Sequence, residues 1–422
     1  MSTQRLYYDD SFQREFTANV LSCEAAPIDQ SSRWHVILDR TGFYPASGGQ
    51  PHDTGQLGTA NVAEVHEVLT PERAAHDVDG AQNVRDEYIA EVIHVVDRPV
   101  DVGPITGRID WERRFDHMQQ HSGQHLLSAV FQNHFGLATV SFHLGSEIST
   151  IDLRGGKPSE ETLADAAAAA NQIIYDDRSM RVIYGTADQL AQSGVRKEVK
   201  RTGVLRAIEI DALDLQPCGG THVRSTGQIG MILLRGVSKI RQDWRLEFAC
   251  GRRAERLARQ DFITLKAVTQ KLNCAPSEAV SAAERLLADR DAHFKSARAS
   301  LLKLAAIDAA AAVQATPSGA DGVRVMTRLF QNDQPEYVRA FASEAAKSER
   351  TVALVARTAC GHVFFMQHPL AGKDMNALLQ SALKKLGGKG GGSRDSARGL
   401  LADPQRAQEL LAFALAELTP PK

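Results

Sequence analysis

Paired cysteines are missing from this 422-residue chain: its five, at positions 23, 218, 250, 274 and 360, are scattered and odd in number. That excludes the disulfide framework of a small secreted domain and points to a reducing cytoplasm. No apolar core follows the start "MSTQRLYYDD", and apolar runs such as "MILL" and "VFFM" fall far short of a bilayer's thickness. Neither a signal peptide nor a membrane partner is expected. Global charge is also lacking: a net of −2 offers no field to gather nucleic acid, so any such footprint must be local. No internal repeat is evident. What is present is length and 43 % hydrophobic content, enough for two or three domains with buried cores.

The patterning predicts an α+β chain in four parts. Residues 1–108 carry short apolar runs ("WHVIL", "NVAEVHEVL", "AEVIHVV") separated by turn-rich stretches such as "TGFYPASGGQPHDTGQLG", which suits a small β-barrel or sandwich, of which the barrel is the expectation. At Asp110, a capping residue, the pattern turns helical and runs to Phe135, where Gly136 stops it. Strand-like "VSFHLGSEISTIDL", an alanine-rich helix, "IGMILLRGVSKI" and "WRLEFAC" complete a mixed domain over 109–251. Residues 252–316 are nearly all helix formers, broken at Pro276. They read as an antiparallel hairpin spacer with Leu257, Val268, Leu272, Leu286 and Leu301 facing inward. After "TPSGADG", strands alternate with helices in a compact α/β domain over 317–422.

The helical stretch "HMQQHSGQHLL" sets His117, His121 and His125 four residues apart. Neighbouring pairs share a helix face and can grip one ion. All three cannot, because at about 1.5 Å rise per residue the outer two lie about 12 Å apart along the axis. Two nitrogens each about 2.1 Å from one zinc are separated by about 4 Å at most. His121 is therefore common to both candidate pairs. On a projection of about 100° per residue, His125 borders the apolar positions Met118, Ala129, Phe115 and Leu126, while His117 lies further away, which favours the 121/125 pair. Downstream, "PCGGTH" places a thiolate and an imidazole, Cys218 and His222, around two glycines that let the chain curl about one ion. A His-His-Cys-His set is chemically matched to zinc. Four protein ligands ordinarily make a closed structural site, whereas catalysis needs room for water or substrate, and the sequence leaves both open.

These motifs, with "TGFYPASGGQPHDTG" upstream, resemble the editing region of alanyl-tRNA synthetase and its free-standing relatives, the long-form AlaX editing proteins. "HSGQH" and "CGGTH" correspond to the family's two metal motifs and "SGGQ" to its glycine-rich motif. The resemblance thus implies His121, His125, Cys218 and His222 as zinc ligands and leaves His117 without a counterpart. The stretch "GKDMNALLQSALKKLGGKGGGSRDSARG" is similar to the DHH-associated domain that ends those proteins, whose glycine-rich loop is associated with RNA binding. Independently, residues 373–398 hold six Lys or Arg against Asp374 and Asp395, a local net of +4. A glycine loop flanked by Lys389 and Arg394 can approach an RNA backbone, or can simply be a surface loop. Two further basic clusters, 194–206 and Arg235, Lys239, Arg241, Arg245, Arg252 and Arg253, read as solvated faces or non-specific tRNA contacts.

The resemblance implies a zinc-dependent hydrolase that deacylates tRNA(Ala) mischarged with serine and, secondarily, glycine, since an alanine pocket rejects neither strongly. With only about ten residues before the first strand-like stretch, no adenylate-forming domain is expected, so editing is expected in trans. Position alone nominates Gly48, Gly49, Gln124 and Ser141, with Thr41 and Ser47, near the substrate; no catalytic base is identifiable. The spacer and last domain are candidates for forming a homodimer. Competing readings are a tRNA-binding accessory protein with a structural zinc, a threonyl-type editing enzyme, which the "SGGQ" stretch disfavours, and a phosphoesterase, which lacks its clustered aspartates.

Overall fold

Short β-branched runs broken by glycine turns form an antiparallel sheet in the first quarter of the chain. The computed structural model describes residues 3–26, 33–69, 90–195 and 203–419, and the chain divides into two compact units, Met1–Ala267 and Val268–Lys422. In the first unit, strands β1 (Gln4–Arg5), β2 (Glu15–Ala25), β3 (Trp34–Leu38), β4 (Arg40–Thr41), β5 (Gly55–Leu57), β6 (Ala60–Leu69), β7 (Ala90–Val96) and β8 (Gly103–Ile109) come first. Six of them run antiparallel in the order β2-β3-β7-β6-β5-β8, and β8 pairs back onto β2, so the sheet closes on itself. Alternation along β2 sends Phe16, Ala18 and Val20 inward, against Val36, Leu38, Phe43 and Val65.

The second layer is built on α1 (Trp111–Phe135). Asp110 caps it by accepting from the Arg113 amide, and Gly136, in the left-handed region, ends it. Every residue from His117 to Phe131 is buried, so no single apolar stripe marks its inner face. Around it lie β9 (Ala138–Leu144), β10 (Ser149–Arg154), α2 (Glu160–Tyr175), β11 (Met180–Thr186), α3 (Ala187–Gln192), β12 (Val204–Ile210), β13 (Asp214–Pro217), β14 (Ile232–Ile240) and β15 (Asp243–Cys250). They form two antiparallel sheets, β14-β15-β10-β9 and β11-β12-β13. Gly123, mid-helix, is required where the chain end of β15 presses on α1: a Cβ there would lie 2.2 Å from the Cys250 sulfur. Gln120 on the helix is satisfied by backbone: it donates to the Cys250 carbonyl and accepts from its amide.

Helix α4 (Gly251–Leu272) leads through a 3-10 turn at Pro276–Glu278 to α5 (Ala279–Ala315). Val268 and Leu286, expected to face inward, are exposed, and Leu257, Leu272 and Leu301 are half-buried. On α5 the packed stripe is instead Ala305, Ala309 and Val313, spaced by four, because α6 (Pro335–Ala345) approaches closely with Val338 and Phe341. In the second unit β16 (Arg324–Phe330), β17 (Thr351–Arg357), β18 (His362–Gln367), β19 (Gly388–Gly392) and β20 (Ser396–Leu401) form one sheet in the order β16-β17-β18-β20-β19. Central β17 is covered on both faces: Val352, Leu354 and Ala356 face α7 (Met375–Leu386) and α8 (Ala407–Leu418), whereas Ala353 and Val355 face α5 and α6. The glycine run read as a loop is strand β19. Its glycines permit the contact, since a Cβ at Gly390 would meet the Gly399 Cα at 2.6 Å and Leu383 at 2.8 Å. Among the described residues no helix is long and apolar enough to cross a membrane.

Thr41 is not near a cleft. It is fully buried inside the barrel, where its hydroxyl lies 2.8 Å from His94 Nε2 and accepts from the Phe43 amide. His94 Nδ1 donates to the Val36 carbonyl, which fixes the neutral tautomer, and burial lowers its pKa to about 4. Because the unfolded chain binds this proton near pH 6.5 and the folded barrel near 4, its contribution is complete above 6.5 and is lost as pH falls toward 4. The loss should not exceed about 3 kcal/mol. Denaturant titrations between pH 7 and 4 should show His94→Gln losing less stability on acidification than the parent chain.

Candidate metal centre

Side chains four apart on a helix stack on one face, and in α1 this brings the His121 and His125 rings to 5.2 Å between centroids. The segment after β13 curls back so that His222 lies 4.3 Å from His121 and 4.8 Å from His125, again between ring centroids. Cys218 Sγ sits 3.4 Å from His121 Nε2 and 3.2 Å from His222 Nε2. The ligand atoms of His121, His125, Cys218 and His222 all fall within 4.8 Å of one another. Around a tetrahedral zinc the nitrogen-to-sulfur edge is about 3.6 Å. The donor set matches such an ion in chemistry, and the two Cys218–histidine distances lie near that edge.

Two of the ring nitrogens remote from the cluster are held. His121 Nδ1 donates to the Gln50 side-chain oxygen at 2.8 Å, so its Nε2 carries the lone pair toward the cluster. His222 Nδ1 meets the Ser122 hydroxyl at 3.1 Å, which also accepts from the Val223 amide. Burial first, then the neighbouring imidazoles, pushes both His121 and His222 far below the usual histidine range, keeping them in the neutral form that ligates. Burial pushes the Cys218 thiol up, and the Arg206 guanidinium opposes that shift.

The cysteine loop is clamped from behind. Arg206 on β12 is buried and donates to the carbonyls of Cys218 at 2.6 Å, Gly220 at 2.9 Å and Tyr8 at 3.2 Å. It belongs to the basic stretch read as a surface face, as buried Arg253 belongs to the other, where it pairs with Asp116. Arg235 and Arg245 are likewise paired, with Asp261 and Asp152. Residues 196–202 of the first cluster lie outside the described residues. An open groove of about 70 Å³ adjoins the cluster, lined by Ser11, Phe12, Arg206, His222 and Arg224, with Arg224 stacked 4.2 Å over the Phe12 ring.

A family profile described as "Threonyl and Alanyl tRNA synthetase second additional domain" matches residues 205–246, the segment holding Arg206, Cys218 and His222. The mouse protein named alanyl-tRNA editing protein Aarsd1 is 29 % identical, covering 96 % of this chain and 95 % of its own. Alanyl-tRNA editing protein AlaX-L of Pyrococcus horikoshii is 28 % identical over 98 % of each chain. The chain is a full-length homologue of the alanyl-tRNA editing proteins. The alanine--tRNA ligase of Pyrococcus abyssi is 29 % identical over 97 % of this chain but only 43 % of its own length.

Within this alanyl-tRNA editing homologue the remaining nominated residues are scattered. Gly48 and Gly49 are the centre of a tight turn closed by reciprocal hydrogen bonds between Ser47 and Gln50, with φ of +55° and +82°. Such a turn demands positive φ at both central positions. Gly49 also presses on Phe142, whose ring lies 5.7 Å from His121. Gln124 is buried and donates to Ser128 at 2.8 Å, its oxygen finding no partner among the described residues. Ser141 is exposed and donates to Asp152 at 2.5 Å. Lys389 and Arg394 are exposed in the second unit. Gln50, Ser122 and Thr221 lie inside the glycine-rich and metal motifs, but their residue types do not set them apart there from the glycines and histidines beside them, and Arg206 is one charge among several in its cluster.

His117, one turn before His121, is buried, and desolvation lowers its pKa to about 4, but it stands outside the cluster. His117→Gln should leave metal content, read by elemental analysis, unchanged. Gly220→Ala should abolish it, because the new Cβ would sit 2.2 Å from the His121 ring.

Proposed function

We propose that the chain is a trans-editing hydrolase that deacylates tRNA(Ala) mischarged with serine or glycine, with zinc held by His121, His125, Cys218 and His222. The observation that carries this reading is the buried His-His-Cys-His cluster beside an open groove, in a chain whose full-length relatives are named alanyl-tRNA editing proteins. A zinc ion there supplies Lewis acidity toward an ester carbonyl or a water of lowered pKa. The protein's own part is positional. Arg206 and Gln50 fix the ligand loop, the Phe12 and Arg224 surfaces offer a stacking plane and a cation to the nucleotide end of the substrate, and the groove admits water. Hydrolysis breaks the bond between the aminoacyl carbonyl and the ribose oxygen; water supplies the hydroxyl to the acid and the proton to the ribose.

The division into barrel (1–108), editing domain (109–251), spacer (252–316) and RNA-binding domain (317–422) belongs to the same reading. Lys389 and Arg398 occupy the face of β19 and β20 turned away from α7, since the intervening Gly390 and Gly399 abut Leu383. With exposed Lys384, Lys385 and Arg394 they support tRNA backbone contact. Exposed Val280 and Phe294 on α5 support a homodimer. The second reading, a tRNA-binding protein with a structural zinc, draws on the fact that all four candidate ligands come from the protein.

Deacylation of seryl-, glycyl- and alanyl-tRNA(Ala) separates the two. Zinc-loaded protein should turn over the seryl ester, spare the alanyl ester, and lose activity by at least two orders of magnitude in Cys218→Ala. Folded, zinc-loaded protein that binds seryl-tRNA(Ala) without turnover would favour the structural reading. Replacing Lys384, Lys385 and Lys389 together by Ala should weaken tRNA binding and reduce the slope of log affinity on log salt by about 2. An unchanged slope would remove the last domain from the interface.

A further inference from the structure

Gln50 is the last residue of the glycine turn and only 2 % exposed. Its side-chain oxygen accepts from His121 Nδ1 at 2.8 Å and from the Thr221 amide at 3.1 Å, while its Nε2 donates to the Thr221 hydroxyl at 2.8 Å. One barrel side chain thus touches both segments that carry the candidate ligands. Gly220 makes the approach possible, since a Cβ there would lie 2.9 Å from the Gln50 oxygen as well as against the His121 ring. The amide is also the right chemistry: one oxygen for two N–H donors and one N–H for a hydroxyl.

We infer that Gln50 is the positioning residue of the metal centre. It holds the His121 ring in the Nδ1–H tautomer with Nε2 turned to the ion, and it sets the pitch of the Cys218–His222 loop against α1. The barrel is then part of the metal site, and metal retention by the editing domain depends on it. This inference rests on the reading that these four residues hold a metal, but not on what the metal does.

The test measures metal affinity rather than turnover. Full-length apoprotein is titrated with zinc against a chromophoric chelator, and with cobalt, whose absorption bands report thiolate and imidazole ligation. Gln50→Leu, similar in size but unable to accept a hydrogen bond, should bind zinc roughly 10- to 100-fold more weakly. Gln50→Glu should restore affinity to near the parent value, because a carboxylate can accept from His121, the Thr221 amide and the Thr221 hydroxyl. A Gln50→Leu protein with parental zinc affinity and an unchanged cobalt spectrum overturns the proposal. Should that variant fail to fold, nitrogen NMR of the parent decides: an Nδ1–H His121 supports the assignment, and an Nε2–H ring in the metal-free protein refutes it. Parent protein that binds zinc normally but hydrolyses no ester would sink the editing reading and leave the role of Gln50 standing.

Discussion

The fully buried ion pair between Arg114 and Asp53 fixes the barrel against the helix that carries the metal motif. Arg114 Nε lies 3.0 Å from both carboxylate oxygens, and its other nitrogens donate to the carbonyls of Ser11 and Gly42. Asp53 in turn accepts from the Tyr44 amide. A pair taken so completely from water is a weak source of net stability, but removing either partner strands a buried charge at a cost of about 3–5 kcal/mol. Its value is therefore in register. Arg114 and His121 are seven residues apart, two helical turns and about 10.5 Å along one face. The barrel segment from Gln50 to Asp53 runs beside that face and touches it at both ends. Sliding α1 by one residue would rotate Arg114 from Asp53 and His121 from Gln50 together.

A helix buried all round is an expensive place for three histidines, three glutamines and two serines. The structure distributes their hydrogen bonds to whatever encloses each face. Gln119 reaches the Gln228 carbonyl, Gln120 the end of β15, His121 the barrel, and Ser122 the cysteine loop. The two candidate ligands on this helix, His121 and His125, thus sit on a polar segment that is tied to several different elements. Such a cluster is assembled from segments across the first unit.

What the sequence disclosed was short-range. The members of each candidate ligand pair lie four residues apart, so helix geometry and a glycine turn draw attention to them, while the family resemblance chooses between the two histidine pairs; Asp110 and Gly136 bracket the helix by their own conformational preferences. What it withheld depends on contacts between distant segments. Gln50 meets His121 across 71 positions, and glutamine carries no chemistry that would single it out beside two glycines. Arg206 was grouped with its charged neighbours because sequence reports a charge without its direction; β12 is buried nearly throughout and turns that charge toward backbone carbonyls. The glycine run of β19 has no intrinsic strand preference, and its conformation comes from pairing with β20 under α7. On α5 large apolar residues were chosen as inward-facing, whereas a closely approached helix packs through alanine.

The cysteine loop is held from two directions, which bears on how a metal site stays ordered beside an open groove. Arg206 draws the Cys218 and Gly220 carbonyls to one side, and Gln50 takes the Thr221 amide and hydroxyl on the other. Two successive glycines would otherwise give this loop more freedom than any other residue pair. With both clamps in place, that entropy is lost on folding and not on binding an ion or a substrate, so ligand atoms need little rearrangement to close on a metal. The clamps leave His222 at the groove edge, on a loop whose geometry is already set.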